Sequence, residues 1–72
     1  MQTYQLTLRA NKRPETLERI LRVIRHRGFE LKSLNVESDE RIFNLTLTLS
    51  SQRPLTLLTH QLEKLFDIIE IN

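Results

Sequence analysis

Along this chain the spacing of apolar residues switches from two to three-and-four and back again, twice, and that rhythm restricts the fold more than any other feature. Residues 3–10 alternate, with Tyr4, Leu6, Leu8 and Ala10 on one side and Thr3, Gln5, Thr7 and Arg9 on the other. A period of two with β-prone Thr and Tyr predicts a half-buried strand. Asn11, Lys12 and Arg13 make a polar connection, and Pro14 reads as the first helical residue, where its missing N–H costs nothing. Over 14–27, Leu17, Ile20, Leu21 and Ile24 form one apolar stripe. Glu15–Arg19 and Glu18–Arg22 are i, i+4 pairs in the favourable order. Arg25, His26 and Arg27 crowd the last turn, where the helix dipole favours cations. Gly28 then closes the helix as a left-handed C-terminal cap, with Phe29 packing back on Ile24.

The next strand, Phe29–Glu37, has a fault in its alternation. Phe29 and Leu31 share one parity, Leu34 and Val36 the other, so one extra residue near Lys32-Ser33 predicts a bulge. Glu37-Ser38-Asp39-Glu40 suits a tight hairpin connection. Residues 41–50 read as a strand with Phe43, Leu45, Leu47 and Leu49 inward. Pro54 opens a second helix with Leu55, Leu58, Leu62 and Leu65 on its stripe and Phe66 beside it; Asp67–Ile71 is a short last strand.

The order β-α-β-β-α-β predicts an α+β, ferredoxin-like fold. Arg13-Pro14-Glu15-Thr16-Leu17 and Arg53-Pro54-Leu55-Thr56-Leu57 share R-P-x-T-L, each where a strand hands over to a helix, as a duplicated βαβ unit would. Right-handed crossovers then set both helices on one face of a four-stranded antiparallel sheet in the order 4-1-3-2. The other face presents Thr3, Gln5, Thr7, Arg9, Ile42, Asn44, Thr46 and Thr48. The second strand lies at an exposed edge, where another chain can pair.

Composition narrows the possible chemistry. Seventy-two residues make one domain, 1–72, whose small core calls for extra support. Without cysteine, neither a disulfide nor a thiolate metal site can supply it, so a partner subunit is expected. The single glycine, Gly28, excludes the glycine-rich phosphate and dinucleotide loops. No apolar run approaches the ~20 residues of a membrane span. MQTYQLTL lacks the basic and apolar regions of a secretory leader, so a cytoplasmic location is expected.

The charge is uneven. Residues 9–32 hold eight Arg and Lys against Glu15, Glu18 and Glu30, a net +5, while 33–72 hold three against six acids, a net −3. A basic half can attract nucleic acid or an acidic protein, but its interleaved acids read first as a solvated helix face.

No catalytic set is visible. His26 reads as a helix-end residue and His60 as an exposed one, and no nucleophile elbow exists. Glu37, Asp39 and Glu40 belong to a hairpin tip without calcium-loop spacing. Tyr4 and Phe43 face inward, which leaves no aromatic platform for stacking bases, so nucleic acid is not the expected partner. Neither catalytic nor metal-ligating residues are assigned.

The run Pro14-Glu15-Thr16-Leu17-Glu18-Arg19-Ile20-Leu21-Arg22-Val23-Ile24-Arg25-His26-Arg27-Gly28-Phe29, continued by Ser33-Leu34-Asn35-Val36, resembles the ACT-domain small subunits of acetolactate synthase, in particular the short isozyme II type. The resemblance implies a regulatory subunit that activates a large catalytic subunit. Thiamine diphosphate, Mg and FAD are expected in that partner, and no cofactor in this chain. It further implies a homodimer joined edge to edge, here through Phe29, Leu31, Ser33, Leu34 and Val36, with an amino-acid effector at the interface.

The same resemblance locates the effector pocket at Asn11, Lys12, Pro14, Glu15, Thr16, Glu30 and Leu31. Valine-sensitive members carry Asn in the first loop, Gly before the helix and Asn at the start of the second strand. This chain has Lys12, one residue from Asn11, at the first of these positions, then Glu15 and Glu30. The Glu15 side chain blocks close backbone approach, and two added carboxylates repel an effector carboxylate. Little or no response to valine is therefore expected. An amino-acid-sensing module of another enzyme, or a small RNA-binding domain, are the other readings left open.

Overall fold

The computed structural model describes residues 1–72. Its elements are β1 (Gln2–Asn11), α1 (Thr16–His26), β2 (Glu30–Ser38), β3 (Ile42–Ser51), α2 (Leu55–Glu63) and β4 (Ile68–Ile71). All strand pairs are antiparallel, in the order β2-β3-β1-β4, the expected 4-1-3-2 read from the other edge. β1 and β3 pair without interruption from Gln2–Ser51 to Asn11–Ile42. Their inward residues, Leu6, Leu8, Ala10, Leu45, Leu47 and Leu49, meet Ile20 and Ile24 of α1 and Leu58 and Leu62 of α2 in one buried core. Truncating any of these leucines or isoleucines to alanine removes about 2–5 kcal/mol. No helix is long and apolar enough to cross a membrane.

The helix-closing motif forms as the sequence predicts. Gly28 adopts φ +84°. Its N–H donates to Arg25 O at 3.2 Å and the Phe29 N–H to Ile24 O at 3.1 Å, the paired bonds of a Schellman cap. A Cβ at Gly28 would stand 2.9 Å from Arg53 Nε. The cap is anchored from below, because Ser51 Oγ donates to Gly28 O at 2.9 Å. The bulge also lies where expected: Leu31 faces Leu49 and Ser33 faces Thr48, leaving Lys32 as the extra residue.

Several local expectations are corrected. Helix α1 begins at Thr16, not Pro14, because Pro14 sits in a turn closed by the Thr16 N–H on Arg13 O, 3.2 Å. Of the two helical ion pairs only Glu18–Arg22 forms, at 2.9 Å, since Glu15 is the N-cap residue just outside α1. Pro54 is extended, with ψ 143°, and precedes α2. The R-P-x-T-L echo therefore marks equivalent places in the topology with different local structures: Thr16 is buried, Thr56 exposed. Phe66 is 79% exposed, because α2 stops at Glu63 and its periodicity no longer places the residues beyond. Phe29, assigned to the dimer edge, is buried in the core beside Tyr4, ring centroids 6.1 Å apart. Strand β4 carries a second, unforeseen bulge at Ile69, between the Ala10–Ile68 and Arg9–Glu70 pairs.

Candidate binding site

Three connections meet at the end of the sheet where β1 finishes: the β1–α1 loop, the β2–β3 hairpin and the turn before β4. Thr16 organises the first. Its buried Oγ1 donates to Asn11 O at 2.8 Å and accepts the Arg13 N–H at 3.2 Å, a hydroxyl version of the reach-back bond of a capping box. Leaving either backbone group unpaired here would cost about 1–3 kcal/mol. Thr16 is thus committed to shaping the loop and has no free hydroxyl for a ligand.

Lys12 fastens the loop to the hairpin. Its N–H donates to Arg41 O at 2.8 Å and its Nζ to Asp39 O at 3.1 Å, while the ammonium stands 5.8 Å over the Phe43 ring. The hairpin itself is shaped by Asp39, whose Oδ1 accepts the N–H groups of Arg41 and Ile42 at 2.9 and 2.8 Å. These two backbone donors, the Arg41 N–H first, hold the Asp39 carboxyl below its ordinary value, with smaller help from Lys12 and Arg9.

Arg13 ties in the third connection. Its Nε lies 3.0 Å from Oδ1 of the buried Asp67, an ion pair whose N–H is not aimed for a hydrogen bond, and its guanidinium lies 5.4 Å over Phe66. The Asn11 N–H donates to Asp67 O at 2.8 Å. Between loop and hairpin lies a recess of about 370 Å³ lined by Lys12, Arg13, Pro14, Leu17, Glu40 and Phe43. Cations on one wall, Glu40 on another and an apolar floor suit a small zwitterion with an aliphatic side chain.

The expected pocket residues are divided. Asn11, Lys12, Pro14, Glu15 and Thr16 gather at this end, with Lys12 and Pro14 in the recess itself. Glu30 and Leu31 lie at the other end of the sheet, where Glu30 pairs with Ser50 while Asn11 pairs with Ile42. Eight residues of β3 separate the two groups, about 27 Å of strand. Glu30 and Leu31 border an open groove of about 900 Å³ between α1 and β2, floored by Leu21, Ile24 and Phe29. Sequence reasoning missed Arg13, Leu17, Glu40 and Phe43 as recess residues. The available signal was register, since pairing Ala10 with Phe43 places that ring beside the loop.

His26 and His60 are exposed on the two helices, and no three His, Asp or Glu side chains converge on a metal position. Fold and site together define a small α+β module with one recess beside the β1–α1 loop and one groove-bordered sheet edge. Residues 12–71 match the family described as the ACT domain. The chain is 45% identical, across 99% of its length and 84% of the relative's, to the acetolactate synthase isozyme 2 small subunit of Escherichia coli. It is 33% identical to the acetolactate synthase small subunit of Mycobacterium avium, spanning 97% of this chain and 44% of that one. Among solved structures, the ACT domain of Chlorobium tepidum GTP pyrophosphokinase superposes with a TM-score of 0.85 at 15% identity over 97% of this chain and 94% of that one. The acetolactate synthase small subunit of Thermotoga maritima gives 0.84 at 16%, over 100% of this chain and 47% of that one. At such identities these superpositions speak for the fold alone. The chain belongs to the ACT-domain small subunits of acetolactate synthase, as the run from Pro14 to Phe29 led us to expect.

Proposed function

We propose that this chain is a non-catalytic regulatory subunit that binds and activates an acetolactate synthase catalytic subunit, whose thiamine diphosphate, Mg and FAD carry the chemistry that opens branched-chain amino acid synthesis in the cytoplasm. The observation that carries the reading is the 45% identity spread over nearly the whole chain. Residues 1–72 act as one ACT unit in this reading, and the unit works as a homodimer.

The division of the pocket residues supports the dimer. Ladder alternation directs the backbone groups of Leu34 and Val36 to the free edge of β2. A two-fold axis beside Asn35 sets Leu34 opposite the partner's Val36. The same axis carries the partner's Glu30 and Leu31 toward the Asp39–Glu40 hairpin and the recess. The effector site is therefore completed only between two copies, and there Glu30 faces Glu40, two carboxylates that oppose binding of an amino-acid carboxylate. Weak or absent valine inhibition follows. The recess with Lys12 and Glu40 favours a second reading, in which a different small amino acid is the effector.

The test is reconstitution. Purified chain is titrated into a matching catalytic subunit and acetolactate formation is followed with and without millimolar valine. A saturable rise in rate that persists in valine is expected; no rise would refute the subunit role, and strong valine inhibition would refute the pocket reading.

A further inference from the structure

The interleaved acids of the basic half neutralise less of it than the sequence suggests. Among the eight cations of residues 9–32, Arg9 meets Glu70 at 3.5 Å, Arg13 Asp67 at 3.0 Å, Arg22 Glu18 at 2.9 Å and Lys32 Glu30 at 2.6 Å. Lys12 is bonded to Asp39 O. The three that make no ion pair, Arg19, Arg25 and Arg27, all belong to α1 and its C-cap. Arg19 lacks its expected partner because Glu15 stands outside the helix. Arg27 donates only to a neutral group, Gln61 Oε1, at 3.0 Å.

These cations form an ordered face. Arg19, Arg22 and Arg25 recur every three residues, about 4.5 Å apart along the helix axis. With His26 they make the solvent side of α1, and all four are exposed. Half-buried Leu21 and Val23 border the row. A solvated helix face pairs opposite charges at i, i+4, whereas like charges at this spacing repel one another and destabilise the free helix. An acidic surface laid against the row removes that repulsion.

We infer that the outer face of α1, through Arg19 and Arg25, docks on an acidic surface of the catalytic subunit. The inference deepens the subunit reading and rests on it. The carboxylates that match the row stand one helical turn apart, as Asp or Glu at i, i+3 or i+4 of an opposing helix do, and guanidinium groups hold them bidentately. A nucleic acid is the poorer occupant. Glu18 stands within the face and repels phosphate, while Leu21 and Val23 call for apolar neighbours that a protein surface brings and a phosphate backbone does not. The proposed dimer, antiparallel at β2, keeps the helices of both copies on one side of the joined sheet, so two such faces look the same way.

The experiment measures binding of the purified catalytic subunit to the full chain at low and at high salt. Arg19→Glu with Arg25→Glu should weaken binding about tenfold at low salt, and much less at high salt, where exposed charges are screened. Arg41→Glu with Lys64→Glu makes the same change of net charge away from α1, at two exposed cations that also make no ion pair, and should weaken binding less than about threefold. Should the first pair lose its fold by circular dichroism, Arg19→Gln with Arg25→Gln removes the cations without adding acids and should weaken binding about threefold. Equal weakening by both reversed pairs means that net charge and not this face guides binding, which overturns the inference. Unchanged affinity in the α1 variants overturns it too and leaves the subunit role standing. Failure of the unaltered chain to bind overturns both. Binding of a single-stranded RNA oligonucleotide that the α1 variants lose, while they keep the catalytic subunit, assigns the face to nucleic acid and overturns the inference.

Discussion

Asp39 shows how one exposed side chain can set a local structure. Its Oδ1 accepts two hairpin N–H groups, and its carboxyl is held below the ordinary 3.8 chiefly by these bonds. A carboxyl depressed on folding stabilises the native state above its ordinary pKa, and that contribution is lost as pH falls through the native value. Asp39→Ala should therefore lower the urea midpoint more at neutral pH than well below pH 3.8. A gap between the two proteins that does not change with pH would show that the charged hydrogen bonds are immaterial. Lys12 and Thr16 illustrate the complementary lesson. The family resemblance puts both among the pocket residues, yet one is bonded to Asp39 O and the other to Asn11 O and the Arg13 N–H. A side chain's hydrogen-bond partners are set by tertiary placement, which spacing alone does not encode.

The elements were legible where their period ran long enough to be read. Ten residues of β1 and ten of β3 fix their inward faces, and the parity fault between Leu31 and Leu34 announced the Lys32 bulge. Four residues of β4 are too few to show a fault, so the Ile69 bulge left no trace in the pattern. Phe66 was misplaced for the related reason that a helical period was carried past the helix end. The Lys32 bulge is also testable. Deleting Lys32 restores regular pairing but turns one half of β2 over, exposing either Phe29 or Leu34 and Val36. At about 1.5–3 kcal/mol for each large side chain uncovered, the deletion should cost at least that much by chemical denaturation. Retained stability would mean that the bulge serves the edge and not the core.

At the scale of the molecule, the division of the pocket residues between the two ends of β3 is what the sequence could not show. The resemblance groups Asn11 with Glu30, and nothing in a single chain's periodicity reveals that they pair with opposite ends of β3, at Ile42 and Ser50; the proposed dimer is what would join them. Light scattering on the purified chain at micromolar concentration should give twice 8.6 kDa, and a monomer there would remove the proposed two-copy site. The central ladder carries a further consequence, one of sequence in time. Pairs between β1 and β3 close over 31 residues, from Asn11 to Ile42, up to 49, from Gln2 to Ser51, whereas β2 and β3 are joined across the short Asp39–Arg41 turn. Loop-closure entropy rises with the length of chain closed, so the hairpin assembles before β1 is inserted beside it. Loosening the turn with Asp39→Ala should then slow refolding more than it hastens unfolding in stopped-flow traces. The reverse split would mean that β1, despite its distance along the chain, is in place before the hairpin closes.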